Sequence, residues 1–182
     1  METAWYFRLL IPYIGWFACS FLLYGIIKAK RMGGPGPSRR LQMVFNIVLV
    51  AGWVLTWFIP YGINAAFWIG LGIIILGLII FSLGFVAMRE HPERKQALVD
   101  WGIYRVSRHS HVLAGIICLL GTVVMGWNPD SVLYLILWVY FVLDAVISHF
   151  GVLNEEKLNV KKFGQEYAGY MKRVPRYFFG KI

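Results

Sequence analysis

Two clusters of titratable side chains stand out in a chain of 182 residues that is otherwise 59% hydrophobic. The stretch GIYRVSRHSH (102–111) gathers Tyr104, Arg105, Arg108, His109 and His111 just before a run that stays apolar as far as Asn128. The second, NEEK (154–157), sets Glu155 and Glu156 directly after another apolar run. Guanidinium and imidazole groups can hold a carboxylate, and paired carboxylates can hold an ammonium or ribose hydroxyls, through charge-assisted hydrogen bonds. Placed opposite each other at the cytoplasmic interface, the clusters suit a zwitterionic ligand. The same charges also serve as solvated anchors of helix ends, and spacing alone does not separate the two readings. Cys19 and Cys118 both fall inside apolar stretches, which argues against a disulfide framework or a metal site.

The elements that must position these clusters follow from the apolar pattern. Only 15% of the residues are charged, too few for a soluble domain of this length. A helix crosses a hydrocarbon core of about 30 Å with roughly 20 apolar residues. Leu9 to Ile27, a stretch starting near Leu41, one ending near Met88, Val112 to Asn128, and Ser131 to Phe150 each qualify. Pro60, Tyr61 and Gly62 separate the second from the third. The expected fold is an all-α integral membrane bundle of about five transmembrane helices, closed by a C-terminal amphipathic tail. It is read as a single membrane domain over 1–182, with three helices in 1–88 and a ligand-binding module in 89–182.

Seventeen of the 18 basic residues fall between the first and second spans, between the third and fourth, or after the fifth, so they share one face of a five-span arrangement. The positive-inside rule makes that face cytoplasmic, with the N-terminus outside. The net charge of +9 then reflects topology and attraction to anionic head groups, not nucleic-acid binding. The first span lacks a charged leading segment and a small-residue cleavage site and reads as a retained helix. In MGGPGPSRR (32–40) no strand precedes the glycines and no phosphate-loop lysine follows them, so no nucleotide site is read there.

Helical spacing adds detail. Gly70, Gly77 and Gly84 recur every seventh residue and form a smooth stripe on which a neighbouring helix can pack closely. His111, Gly115, Cys118 and Thr122 share one face of the fourth helix; Asp144, Ser148, Gly151 and Glu155 share one of the fifth. GWNPD (126–130) is a tight connection, so these stripes are expected to face each other in a hairpin, with His111 in hydrogen-bond or one-water range of Asp144. The tail reads as two short amphipathic helices broken at Phe163–Gly164 and lying on the membrane surface.

ALVDWGIYRVSRHSHVLAG (97–115) resembles the Leu-Val-x-x-Gly-x-Tyr and Arg-His-Pro-x-Tyr-x-Gly signature of the isoprenylcysteine carboxyl methyltransferases and the related phospholipid N-methyltransferases. NEEKLNVKKFGQEYAGYMKRVPRYFF (154–179) is similar to the Glu-Glu-x-x-Leu, Phe-Gly-x-x-Tyr-x-x-Tyr ending of the same families. The resemblance covers the C-terminal half and implies an S-adenosylmethionine pocket closed by the tail. It assigns Leu98, Val99, Gly102 and Tyr104 to the adenosine end, Arg108 and His109 to the amino-acid end, and Glu155 with Glu156 to the opposite wall. Ser110 stands where the family has proline and Val112 where it has tyrosine; His111 takes over as the polar group at that edge.

The implied reaction is methyl transfer to a lipidic acceptor that enters between helices while the cofactor enters from water. No metal, nucleic acid or obligate protein partner is called for. A carboxylate acceptor would need a cation such as Arg105 or Arg173. An amine or thiol would need a base, for which Glu155, Glu156, His109 or His111 is available. Two alternatives belong to other classes: an NADPH-dependent membrane reductase of the sterol-reductase type, which looks similar in this region, and a membrane module without catalysis.

Overall fold

The computed structural model describes residues 61–89 and 97–178, with Met43, Ile47, Ala51, Gly52, Val54, Leu55, Thr56, Phe58 and Ile59 ahead of them. The expected first span, most of the second, the basic loop 32–40 and the outward N-terminus lie outside the described residues. Within them every regular element is helical. Helix α1 runs Ala65–Arg89, α2 Ser110–Met125, α3 Val132–Phe163 and α4 Gln165–Arg173, with one 3-10 turn at Gly102–Arg105 before α2.

Asn64 starts α1 by accepting the Phe67 amide on its side-chain oxygen at 2.9 Å, which satisfies one of the unpaired donors of a helix N-terminus. One face of α1 is then buried at Phe67, Gly70, Ile74, Gly77, Phe81 and Gly84. Gly70 and Gly77 do what the spacing predicts, while Gly84 faces only side chains at ordinary contact distance. A Cβ at Gly70 would come within 2.5 Å of the Gly121 carbonyl oxygen, and one at Gly77 would collide with Cys118 Sγ. From the other side, a Cβ on Gly121 would lie 2.7 Å from the Gly70 carbonyl oxygen. The two backbones touch because the side chains between them are missing.

The other faces of α1 and α3 are bare and apolar. Trp68, Ile69, Leu76, Ile79 and Leu83 of α1 are exposed, as are Val132, Leu135, Val139, Val142 and Phe150 of α3. Of their most apolar windows only 28% and 17% is buried inside the chain. A core helix of a soluble protein is mostly covered, so these faces belong against lipid. Among the described residues α1 and α3 are the two helices long and apolar enough to cross a membrane. The expected count of five includes spans that lie outside the described residues. Helix α2, read from sequence as a span to Asn128, has 16 residues. At 1.5 Å per residue it reaches about 24 Å, short of a full crossing.

Two further expectations need correction. The fifth span and the first tail helix are one continuous helix, α3, of 32 residues. No proline interrupts it and Gly151 has open space around it, so leaving the apolar layer does not end the helix. The break falls where expected, at Phe163–Gly164, where Gly164 adopts φ 54°, a conformation that suits glycine. No direct ion pair joins His111 to Asp144 among the described residues. The His111 ring lies 6.2 Å from that of His109, and Asp144 stands half-buried on α3 with no ion pair among the described residues. Helix α2 lies along the glycine stripe of α1 and touches α3 far less, so the stripes of the hairpin do not meet face to face.

Candidate functional site

The segment from Leu98 to His109 is built to present its last two residues to the tail. Trp101 donates its indole N–H to the Ala87 carbonyl at 2.7 Å, tying the segment to the end of α1. Gly102 follows with φ 57°, and a Cβ there would meet that of Ala87 at 2.8 Å, so both backbone and space ask for glycine. The 3-10 turn buries Tyr104, whose carbonyl accepts the Tyr170 hydroxyl of α4 at 2.6 Å. Leu98 is buried with Tyr167, Tyr170 and Val174 of the tail, and Val99 with Ile80, Phe81 and Met88 of α1. The residues that resemblance assigns to an adenosine end are thus, Gly102 apart, packed side chains that join the segment to α1 and α4.

The tail returns over this segment after α4. The Arg108 amide donates to the Pro175 carbonyl at 3.0 Å and the His109 amide to that of Arg176 at 3.3 Å. The Ser107 hydroxyl adds a bond to the Arg176 carbonyl at 3.1 Å. Residues 174–178 form a strap laid along the stretch before α2, attached by backbone bonds at Pro175 and Arg176 and by the packed side chains of Val174 and Phe178.

Beneath the strap lies a buried charge cluster centred on Glu156. Arg176 grips it with both ends of its fork, Nε to Oε1 at 3.1 Å and Nη2 to Oε2 at 2.8 Å. Arg108 Nη2 reaches Oε1 at 3.0 Å, while its Nη1 donates to the Met171 carbonyl at 2.9 Å. His109, 1% exposed, stands between two carboxylates, Nε2 3.4 Å from Glu156 Oε1 and Nδ1 3.9 Å from Glu155 Oε2. Burial by itself would raise the Glu156 carboxyl. The contacts from His109 and Arg176 and the charge of Arg108 outweigh it and hold the group down at about 2. Tyr167, beside the cluster, is pushed up to about 12 by burial, against a hydrogen bond with Asn159.

The cluster leaves several buried polar atoms without a close partner. Among the described residues, Arg108 Nε and both ring nitrogens of His109 are buried without a well-formed hydrogen bond, since the His109 contacts are long. Ser110, at the position where the resembled signature has proline, is fully buried, and its hydroxyl is likewise without a partner there. It sits beside the α1 glycine stripe, 3.5 Å from where a Cβ of Gly84 would be. Buried polar atoms without partners are costly, and a carboxylate is an acceptor that suits the N–H groups of a guanidinium and an imidazole.

Arg108, His109, Glu155 and Glu156 are therefore brought together as expected, and His111 lies next to them. Arg105 is exposed, and the Arg173 side chain is 70% exposed, its Nη2 4.0 Å from Asp100 Oδ2 at the rim. Neither enters the cluster. The cation that does, Arg176, was not singled out from the sequence, although its place after Pro175 in a segment read as closing the pocket was the available signal. His149 was missed as well. It lies on α3 seven residues before Glu156, on the same face, and its Nδ1 is 3.2 Å from the Tyr177 hydroxyl of the strap. No group of His, Cys, Asp and Glu among the described residues could hold a metal ion.

A family model described as phospholipid methyltransferase matches residues 61–166. The chain is also similar to two curated proteins of rice, the probable protein-S-isoprenylcysteine O-methyltransferases of Oryza sativa subsp. indica and subsp. japonica. Each is 30% identical over 128 residues, covering 65% of this chain and 60% of the relative. The chain thus spans about 60% of the length of the curated relatives it matches. No solved structure matches it. The matched family region contains Arg108, His109, Glu155 and Glu156 and stops before the strap.

Proposed function

Because the chain belongs to the phospholipid methyltransferase family, we infer that it transfers a methyl group from S-adenosylmethionine to a lipidic acceptor at a membrane interface. The observation that carries this reading is the buried cluster at the end of two lipid-facing helices, rich in donors for a carboxylate and flanked by a half-buried carboxylate. The amino-acid end of the cofactor is a zwitterion and fits those groups. Arg108 and His109 would hold its carboxylate and Glu155 its ammonium, while Glu156, already gripped by two guanidiniums, holds the donors in place. Exposed Gly102 would flank the adenosine, with Leu98, Val99 and Tyr104 packed behind it as support.

When bound, S-adenosylmethionine supplies an electrophilic methyl group on a sulfonium. The chain's own contribution is to align and to exclude water. The strap covers the cluster from the aqueous side, and desolvation strengthens every charge interaction beneath it. The bare faces of α1 and α3 offer the acceptor a path from the lipid. In this reading the protein is multi-pass with its C-terminus cytoplasmic, because the bases surround the site and mark its side of the membrane.

The test is titration of purified full-length protein with S-adenosylhomocysteine, followed by calorimetry. Binding in the micromolar range or tighter is expected. Binding of NADPH in its place would support the reductase reading, and binding of neither would support a module without catalysis.

A further inference from the structure

Glu156 is a puzzle for the reading above, on which this inference rests. It is a carboxylate in the middle of the groups meant to receive another carboxylate. Arg108 and Glu156, 3.0 Å apart, would cancel each other's charge and leave nothing to attract an anion. Arg176 changes that balance. Its fork takes both oxygens of Glu156, at 3.1 and 2.8 Å, and the group of three carries one net positive charge.

The geometry points to Arg176 as the positioning residue of the site: by neutralising Glu156 it frees the positive charge of Arg108 for the carboxylate of the amino-acid ligand. Three features of the structure support it. The approach is bidentate, the arrangement in which a guanidinium best matches a carboxylate. The Arg108 side chain is buried, with Nε lacking a partner among the described residues, so it has a donor to give. The strap places Arg176 through its carbonyl, which accepts from the His109 amide and the Ser107 hydroxyl, so a changed side chain leaves the strap attached. Glu155, with 29% of its side chain exposed and on the Nδ1 side of His109, remains the carboxylate for the ammonium. The two adjacent acids thus have different tasks.

The experiment is a charge-balance cycle read by S-adenosylhomocysteine affinity in full-length protein. Arg176→Gln removes the excess charge and is expected to weaken binding about tenfold, the scale of one charge-assisted interaction. Arg176→Gln combined with Glu156→Gln restores one net positive charge on Arg108 and is expected to bring affinity back to within about threefold of wild type. A clasp that only held the tail down would give a double variant no better than the single one, and that result would overturn the inference. So would unchanged affinity in Arg176→Gln. Wild-type protein that binds no S-adenosylhomocysteine would overturn the cofactor reading itself, and this inference with it.

Discussion

The α1–α2 interface and the clasp between the strap and Glu156 are both tightly made, from opposite materials. Along α1, contact comes from what is absent: Gly70 and Gly77, with Gly121 opposite, let two backbones meet, and no polar side chain is needed. At the clasp, contact comes from charges that are costly to bury and are therefore held in a fixed set of partners around one carboxylate. The first region depends on shape and tolerates changes of pH. The second depends on protonation and on every partner being present. Under the proposed function one end stays rigid in lipid while the other answers to a water-borne ligand, and that division serves both.

The largest expected effect falls on the clasp. Glu156→Leu removes the partner of two guanidiniums at once and should cost about 3 to 5 kcal/mol in detergent-solubilised protein, the penalty for stranding buried charge. Acid should act in the same direction. The Glu156 carboxyl is held near 2, below its ordinary value of 4.5, so its stabilisation is fully present above pH 4.5 and is lost as the pH falls towards 2. The difference corresponds to about 3 kcal/mol. Thermal melts of wild type and Glu156→Gln across that window check it: the two curves should converge in acid. Parallel curves would show that the clasp contributes no more than the glycine interface does.

At the glycine interface the expected effect is somewhat smaller and does not depend on pH. Gly121→Val would press a side chain against the Gly70 carbonyl and Ile74, each 2.7 Å from the new Cβ. The helices must separate by a few tenths of an ångström or more, at about 2 kcal/mol. A melt that drops equally at pH 7 and pH 3 would sharpen the contrast. One that drops only at low pH would break it.

How much of each region was legible follows from the same contrast. The glycine stripe could be read because its information is local, a period of seven along one helix, and the break at Gly164 because one residue type carries it. Helix α3 was cut short in the sequence reading since polarity begins near Asn154, and a change of surroundings was taken for a change of structure. A direct His111–Asp144 contact is not legible from either stripe alone, because the glycine face of α1 decides which way α2 leans. In the cluster, Arg108, His109 and the two glutamates were legible as residue types repeated in a related family. Arg176 was not, because its place is set by a strap pairing segments 69 residues apart, as in the bond from Ser107 to the Arg176 carbonyl.

Arg173 gives the smallest effect and the cleanest contrast with Arg176. Both are arginines at the end of the tail, three positions apart, and the sequence favoured the former as the binding cation. The last turn of α4 points Arg173 outward, where its contact with Asp100 is 4.0 Å long and the side chains are 70% and 46% exposed. Water and salt screen such a pair, and holding two long side chains together costs entropy, so its worth is about 0.5 kcal/mol or less. Arg173→Ala should therefore leave the melting temperature within error and S-adenosylhomocysteine affinity unchanged, while Arg176→Gln lowers that affinity about tenfold. The difference arises because the helix ends at Arg173 and the extended Val174 starts the strap, which turns Arg176 inward over Glu156. A large loss of affinity in Arg173→Ala would mean that the rim, and not the strap, supplies the charge felt by the ligand, and the division of labour between the two ends of the tail would be reversed.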